Sequence, residues 1–144
     1  MPAAKITTRP AQPDDAGELS EMYALTCRTA HQGIIPHANL DLMIAKRRAE
    51  WWQRLIAQGT KMLVLDHDGA VAGYAMLGAG RYREAGYPGE IYEIYVEPAH
   101  QGIGLGTLLL EASMQELHLL NLHGTMAWSL ADAEQACRFF EARG

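Results

Sequence analysis

The sequence has few residues of the kinds that build disulfide frameworks, metal sites or membrane spans. Its 144 residues include two cysteines, Cys27 and Cys137, and neither belongs to a Cys-x-x-Cys pair. This spacing argues against a zinc ribbon or a thioredoxin-like motif and predicts two buried, reduced thiols. No run of about 18 apolar residues occurs, which argues against a membrane-spanning helix. The first residues lack the apolar segment of a secretory signal, so we expect a cytoplasmic protein without membrane contacts.

Positive charge is also scarce. The chain has 12 lysines and arginines against 17 aspartates and glutamates, for a net charge of −5. Nucleic-acid-binding domains normally present a basic face, so this balance argues against a nucleic-acid partner. The densest basic run, residues 46–48, falls in a predicted helix, and we interpret it as a solvent-exposed face. His118 and His123 are five residues apart at a predicted helix end, a poor zinc pair, and we expect no metal.

The order of predicted elements indicates an α/β fold. A chain of this length fits one domain, which we place at residues 1–144. Alternating apolar residues predict strands at 5–9, 61–65, 71–77, 90–96 and 125–130, with a tight turn at 66–69. Apolar residues at helical spacing predict helices that start at 13 and that cover 40–58, 105–122 and 133–142. The resulting order, β-α-α-β-β-β-α-β-α, predicts a mixed sheet with helices on its faces.

Three alternating glycines lie between a predicted strand and a predicted helix, in the stretch Gln-Gly-Ile-Gly-Leu-Gly at 101–106. A glycine inside a helix costs about 1 kcal/mol relative to alanine, so this stretch indicates a turn used for its backbone. The first-turn amides of a helix carry the positive end of its dipole and bind phosphate groups. A tight turn without a ligand and a nicotinamide dinucleotide site are the alternatives, but the dinucleotide motif has the spacing Gly-x-Gly-x-x-Gly after an early strand.

At this point the residues resemble a known family. Residues 101–106 resemble the Q/R-x-x-G-x-G/A motif of the GNAT N-acetyltransferase superfamily, and residues 90–98 are similar to that family's fourth strand. The likeness extends to residues 8–15 near the start, to the hairpin at 68–74, and to residues 136–144, which resemble the fourth helix. The resemblance implies a GNAT-like, mostly antiparallel central sheet flanked by helices.

The resemblance also implies that the chain binds acetyl-CoA as a co-substrate. The pantetheine arm would pair with the backbone of Ile94, Tyr95 and Val96, and the Val96 amide would donate to the oxyanion. Family members separate their fourth and fifth strands to admit the thioester, which here means residues 90–96 and 125–130. The pyrophosphate would lie on the backbone amides of Gln101, Gly102, Ile103, Gly104, Leu105, Gly106 and Thr107.

Acetyl transfer to an amine needs a group that accepts the amine proton and benefits from one that protonates the leaving thiolate. Glu90 matches the family position that often carries the base, and we predict that role for it, with Glu93 as the second candidate. Strict alternation along the strand would place Glu90 and Tyr92 on one face and Glu93 on the other. The alternative is that either carboxylate binds a cationic acceptor or pairs with Arg81 or Arg83.

The chain departs from the family pattern near its end. The tyrosine that often protonates the thiolate is matched by Phe140, so Tyr92 becomes the candidate acid. The asparagine common near the start of that helix is matched by Ala133. The family usually adds two further strands after the glycine that matches Gly144. We therefore expect either a longer protein or a partner subunit, such as the second copy of a homodimer, that completes the sheet.

The function implied is acetyl transfer from acetyl-CoA to a primary amine of a small-molecule or peptide acceptor. Residues 31–39, 78–89 and the helix at 40–58 would shape the acceptor pocket, where Arg81 and Arg83 could hold the carboxylate of an amino-acid-like amine. A non-catalytic acetyl-CoA-binding or regulatory module is the alternative, because Phe140 and the short carboxyl-terminal end keep it open.

Overall fold

The computed structural model describes residues 5–29, 33–81, 86–97, 100 and 104–127. Five strands form one sheet in sequence order, and they are β1 Ile6–Pro10, β2 Lys61–His67, β3 Ala70–Ala79, β4 Gly89–Val96 and β5 Thr125–Ala127. The first four strands pair antiparallel, and β5 runs parallel to β4. The mixed α/β architecture predicted from the order of elements is confirmed. The predicted helix at 133–142, with Ala133 and Phe140, lies outside the described residues, as does the end of the predicted fifth strand.

The helices within the described ranges are α1 Ala16–Thr29, α2 His37–Lys46, α3 Ala49–Ala57 and α4 Leu105–Leu119. A 3-10 turn, Pro13–Asp15, leads into α1. None of these helices combines the length and the apolar character that crossing a bilayer requires. Along the described chain, α1, α2 and α3 lie between β1 and β2, and α4 lies between β4 and β5.

The prediction of one helix at 40–58 is wrong. The chain leaves the helical conformation at Arg47, where φ is −117° and ψ is 53°, and at Arg48, which caps α3 with φ −74° and ψ 176°. Neither proline nor glycine marks this break. Instead, the Arg47 carbonyl accepts hydrogen bonds from Ser20 Oγ and Trp52 Nε1, both at 3.1 Å. Tertiary hydrogen bonds have replaced the helical one, which explains why periodicity alone did not predict the break.

The sheet separates two hydrophobic cores. Helices α1, α2 and α3 cover one face, where Trp52 and Cys27 are fully buried; we call this the α1–α3 core. Helix α4 covers the other face, where Leu109 and Leu117 are fully buried; we call this the α4 core. Each large side chain buried in this way contributes about 1.5–3 kcal/mol. The prediction of a buried thiol is confirmed for Cys27, while Cys137 lies outside the described residues.

The hairpin between β2 and β3 turns at Asp68 and Gly69. Their φ angles are 52° and 91°, and two central residues with positive φ define the type I′ turn that matches the twist of a hairpin. Asp66 Oδ1 accepts a hydrogen bond of 2.7 Å from the Gly69 amide. Because the turn is this tight, β2 and β3 extend further towards it than the predicted strands at 61–65 and 71–77.

Candidate active site

Strand β4 carries one extra residue relative to β3 between two neighbouring pairs. Glu93 pairs with Met76 and Ile91 pairs with Leu77, so Tyr92 lies between two pairs without a residue of β3 opposite it. This arrangement is a β-bulge, and it breaks the strict alternation of side chains along the strand. The prediction that alternation would place Glu90 and Glu93 on opposite faces is therefore wrong.

The bulge sorts the apolar and aromatic side chains of β4 onto different faces. Ile91, Ile94 and Val96 all pack into the α4 core. Tyr92 and Tyr95 both pack against the α1–α3 core on the other face. The aromatic hydroxyls of β4 are thus collected on one side of the sheet.

The two carboxylates of β4 lie on the same face as these tyrosines. Gly89 faces the α4 core, because a Cβ at this position would approach Leu117 to 3.4 Å, so the next residue, Glu90, faces the other way. Glu93 also faces the α1–α3 core, where its Oε1 accepts a hydrogen bond of 3.0 Å from the Tyr74 hydroxyl. The strand therefore presents two acids and two phenols on one face.

The carboxylate of Glu90 is bound by Arg81. Glu90 is 0% exposed. Its Oε1 accepts a hydrogen bond from the Arg81 backbone amide at 2.9 Å, and its Oε2 accepts from Arg81 Nε at 3.1 Å and Nη2 at 2.6 Å. A buried carboxylate needs such partners to keep its charge. The pairing with Arg81 weighed as the alternative role for this acid is present, and Arg83 lies outside the described residues.

The carboxylate of Glu93 is bound by Arg47. Arg47 Nη1 donates to Oε1 at 2.8 Å and to Oε2 at 2.7 Å. The guanidinium carbon lies 4.5 Å from the ring centroid of Tyr23 and 4.4 Å from that of Trp51. Burial alone lowers the pKa of Arg47, but the charge and hydrogen bonds of Glu93 outweigh it and raise that pKa above its ordinary value. Both acids on this face are thus ion-paired with arginine.

Arg47 is a functional candidate that the sequence analysis missed. Lys46 and Arg48 are exposed as predicted, but the Arg47 side chain is only 25% exposed, so the interpretation of 46–48 as a solvent-exposed face is wrong for its central residue. The sequence feature that could have indicated Arg47 is Glu93, a carboxylate in the middle of a strand with several apolar residues. Such a residue requires a cationic partner, and sequence spacing did not identify which one.

The hydroxyl of Tyr92 is also held in place. It donates a hydrogen bond of 2.6 Å to the Ala79 carbonyl, and the Arg81 guanidinium lies 4.4 Å from its ring centroid. Burial raises the pKa of Tyr92, and the charge of Glu90 raises it further, so the phenol stays protonated at neutral pH. A Cβ at Gly78 would lie 2.7 Å from this hydroxyl, which explains why a glycine stands opposite the ring.

Helix α4 begins at a left-handed glycine. Gly104 has φ 85° and is the N-cap residue, with no side chain bound to the first-turn amides and no acid in that turn. A Cβ at Gly104 would meet nothing within 4 Å. The amides of Leu105 and Gly106 thus belong to a helix start that offers positive potential and open space. Gln101, Gly102 and Ile103 lie outside the described residues.

Two histidine pairs occur away from β4. His100 Nε2 lies 3.0 Å from His67 Nδ1, and the Nδ1 atoms of His118 and His123 lie 2.8 Å apart. Within the described part of the chain, no group of three or more histidine, cysteine, aspartate or glutamate side chains could hold a metal ion.

A separate concavity of about 290 Å³ lies at the start of α2, lined by residues 33–37 and Leu40. Its lining falls within residues 31–39 and 40–58, which were predicted to shape the acceptor pocket, and it includes His37. None of the predicted catalytic residues, Glu90, Tyr92 and Glu93, lines it, so we place the candidate catalytic groups at β4.

Within the described residues, β5 pairs in parallel with the start of β4. The described pairs run from Gly89 with Thr125 to Ile91 with Ala127. Residues 128–130, the rest of the predicted fifth strand, lie outside the described residues, and the separation of strands 90–96 and 125–130 stays a prediction.

Comparisons with known proteins agree with this arrangement. Residues 19–144 match the family model for the acetyltransferase (GNAT) family. The L-methionine sulfoximine/L-methionine sulfone acetyltransferase of Salmonella typhimurium is 34% identical over 85% of this chain and 69% of its own. A candidate acetyltransferase of Salmonella typhimurium, solved with its cofactor acetyl-CoA, is 26% identical, with a TM-score of 0.69 over 97% of this chain and 79% of its own. The paia N-acetyltransferase of Thermoplasma acidophilum, solved with coenzyme A, has a TM-score of 0.84 at 16% identity, over 97% of this chain and 89% of its own. The chain therefore belongs to the GNAT family and is an acetyltransferase.

Proposed function

We propose that this chain transfers an acetyl group from acetyl-CoA to a primary amine. The observation that carries the proposal is the bulged strand β4, which presents Glu90, Tyr92 and Glu93 on one face and leads towards the start of α4. Acetyl transfer requires a proton acceptor at the thioester and benefits from a site that binds the donor's phosphates, and we assign these roles to β4 and to the start of α4. The acetyl-CoA complex of the 26% identical Salmonella protein supports the choice of donor.

In this proposal the donor lies along β4 and ends at the start of α4. The pantetheine arm follows the backbone of Ile94, Tyr95 and Val96, as an added strand would. The pyrophosphate lies on the amides of residues 101–107. The open space at Gly104 and the first turn of α4, which has no acid, fit an anionic group there. When bound, acetyl-CoA supplies the activated acetyl group.

The residues of β4 would manage the protons of the reaction. The acceptor nitrogen forms a bond to the acetyl carbon as the carbon–sulfur bond breaks, and Glu90 takes the amine proton, with Glu93 as the second candidate. The Val96 amide donates to the carbonyl oxygen as negative charge develops on it. Tyr92 donates the proton that the CoA thiolate accepts. Both oxygens of Glu90 accept hydrogen bonds from Arg81. Glu90 can therefore take the amine proton only if acceptor binding loosens that ion pair.

The Arg81 pair also suggests which acceptors to test. A carboxylate next to the amine would bind the Arg81 guanidinium and release Glu90 in the same step. The 34% identical relative is named for L-methionine sulfoximine and L-methionine sulfone, which supports an amino-acid-like acceptor. We therefore propose α-amino acids as the first acceptor class, ahead of their amides and of simple alkylamines.

The first experiment combines donor binding with turnover. Calorimetric titration with acetyl-CoA should give binding, and titration with NAD should give none. Thiol release should then rise with an amino acid and rise less with the matching amide. Binding without amine-dependent thiol release for any member of an amine panel would support the alternative, a non-catalytic acetyl-CoA-binding module. Absence of acetyl-CoA binding would contradict the proposed donor.

Replacement of Glu90 by glutamine tests the proposed base. The side chain keeps its shape and can still accept one hydrogen bond from Arg81, but it cannot take a proton. We expect kcat/KM to fall about 100-fold at neutral pH and to recover in part towards pH 9, where more of the acceptor amine has already lost its proton. Glu93→Gln is the matched control, and it should retain the pH dependence of the wild type. Unchanged activity of Glu90→Gln between pH 6 and 9 would remove Glu90 from the role.

A further inference from the structure

The break between α2 and α3 is joined to the candidate site through Arg47. The Arg47 carbonyl accepts hydrogen bonds from Ser20 of α1 and Trp52 of α3, and the Arg47 guanidinium donates to Glu93 of β4. Tyr74 of β3 donates to the same carboxylate. One residue therefore links the helical layer to the strand that carries the proposed chemistry.

The bulge in β4 needs a contact of this kind. Between Glu90 and Val96 there is neither a glycine nor a proline, so local backbone preference does not place the bulge at Tyr92. A shift of the pairing by one residue would turn Glu93 towards the apolar α4 core, where its carboxylate would lose Arg47. The ion pair therefore opposes the registers that differ from the observed one by a single residue.

The chemistry of the contact suits arginine in particular. The guanidinium is planar, and it lies between the rings of Tyr23 and Trp51 while Nη1 reaches both oxygens of Glu93. Lysine would keep the charge but would lose the stacking surface and the fixed direction of the donors. Substitution by lysine should therefore weaken the contact without abolishing it.

We propose that Arg47 is a positioning residue for acetyl transfer. Through Glu93 it fixes the register of the bulge, and the register sets the direction of Glu90 and Tyr92. This inference rests on the proposed function, because it assumes that the reaction takes place on this face of β4. Arg47 acts through Glu93 and has no assigned contact with either substrate.

The kinetic test uses Arg47→Met and Arg47→Lys, with Arg48→Met as the matched control on an exposed neighbour. A misplacement of about 1 Å at a reacting group can cost about 100-fold, so we expect kcat of Arg47→Met to fall by about that factor. The acetyl-CoA Kd should change much less than kcat, since the proposed pyrophosphate site lies at the start of α4 and not on the bulge. Arg47→Lys should recover part of kcat, and Arg48→Met should match the wild type.

The double variant Arg47→Met/Glu93→Gln tests whether Arg47 acts through Glu93. If it does, the double variant loses no more kcat than Arg47→Met alone, because both substitutions break one contact. Additive losses would overturn the proposal. So would a wild-type kcat in both Arg47 variants, or equal losses in Arg47→Met and Arg48→Met.

Hydrogen exchange supplies a readout that does not depend on turnover. In Arg47→Met the amides of Tyr92 and Glu93 should exchange faster, while those of Met62 and Val64 in β2 should exchange at the wild-type rate. Unchanged exchange at β4 would overturn the role of Arg47 even if the wild-type chain acetylates no amine. Should Arg47→Met not fold, Arg47→Lys gives the same comparison with a smaller change.

Discussion

Arg9 joins the first strand to the turn that starts α1. Its guanidinium donates to Asp15 at 2.8 and 2.9 Å and to Asp66 at 2.9 Å. The hydrogen bond from Arg9 holds the pKa of Asp15 below its usual value, against the opposing effect of burial. The ionised carboxylate therefore stabilises the fold above the unfolded-state pKa of about 3.9, and this contribution is lost as the pH falls through the lower folded-state value.

Asp15→Asn should remove this contribution. We expect the free energy of unfolding at pH 7 to fall by about 2 kcal/mol, which is typical of a hydrogen bond to a charged group. The difference from wild type should shrink as the pH falls below about 4, because the unfolded wild-type chain takes up the proton first and the folded carboxylate does so at its lower pKa. Urea unfolding at pH 7, 5 and 3 measures both quantities. Asp14→Asn, at the exposed neighbour, should have little effect, and an equal loss for Asp15→Asn at every pH would contradict the argument.

At the level of single residues, the sequence was a good guide to burial and a poor guide to partners. It predicted that Cys27 would be buried, and that acids on β4 would carry the chemistry or pair with arginine. The choice of arginine for each acid depends on contacts between distant parts of the chain. The pair Arg47 and Glu93 spans two elements that no local pattern connects.

At the level of elements, strands and helices with a strong period were predicted well. The β-bulge in β4 was not predicted, although the spacing of the apolar residues in this strand indicates it. Ile91, Ile94 and Val96 are separated by three positions and then two, whereas a regular strand repeats every two. An interval of three within a strand is the spacing that an extra residue produces, so the face of each side chain could have been read from it.

The start of α4 is an element whose conformation depends on one glycine. Gly104→Ala would keep its side chain in open space, but φ 85° is strained for any residue with a Cβ, at a cost of about 1–2 kcal/mol. Gly17→Ala is the matched control, because it also adds a methyl in open space but within α1, where alanine stabilises by about 0.5–1 kcal/mol. Thermal unfolding should therefore shift in opposite directions for the two variants.

The same pair of variants separates stability from donor binding. Gly104→Ala should also weaken acetyl-CoA binding in calorimetry, since it alters the helix start proposed for the pyrophosphate, while Gly17→Ala should bind as the wild type does. Equal acetyl-CoA affinities for both variants would argue against a pyrophosphate at this turn.

At the scale of the whole molecule, the sheet is shared by two cores. Leu117 of α4 is fully buried, and Leu119, two residues away, is 69% exposed. Leu117→Ala should lower the free energy of unfolding by about 3 kcal/mol, and Leu119→Ala should change it little. Because both cores pack on one sheet, the loss in the α4 core should also destabilise the α1–α3 core, which holds Trp52.

Two probes can test this coupling. In a Trp128→Phe background the tryptophan emission comes from Trp51 and Trp52, on the α1–α3 side, while circular dichroism follows all helices. We expect the two urea transitions to coincide for the wild type and for Leu117→Ala. A tryptophan transition that stays at the wild-type midpoint in Leu117→Ala would show that the two cores unfold independently.

The contact between Arg47 and Glu93 also constrains the evolution of this sequence. The Arg47 guanidinium contacts Tyr23 of α1, Trp51 of α3 and Glu93 of β4. Tyr74 of β3 donates to the same Glu93 carboxylate, so side chains of four elements meet the residue between α2 and α3. A change at 93 that removes the acid leaves a half-buried cation without its partner, and a change at 47 leaves a half-buried anion without its partner. Neither position is free to drift alone, so among homologous chains an acid at 93 should occur together with arginine at 47, and the two should be lost together.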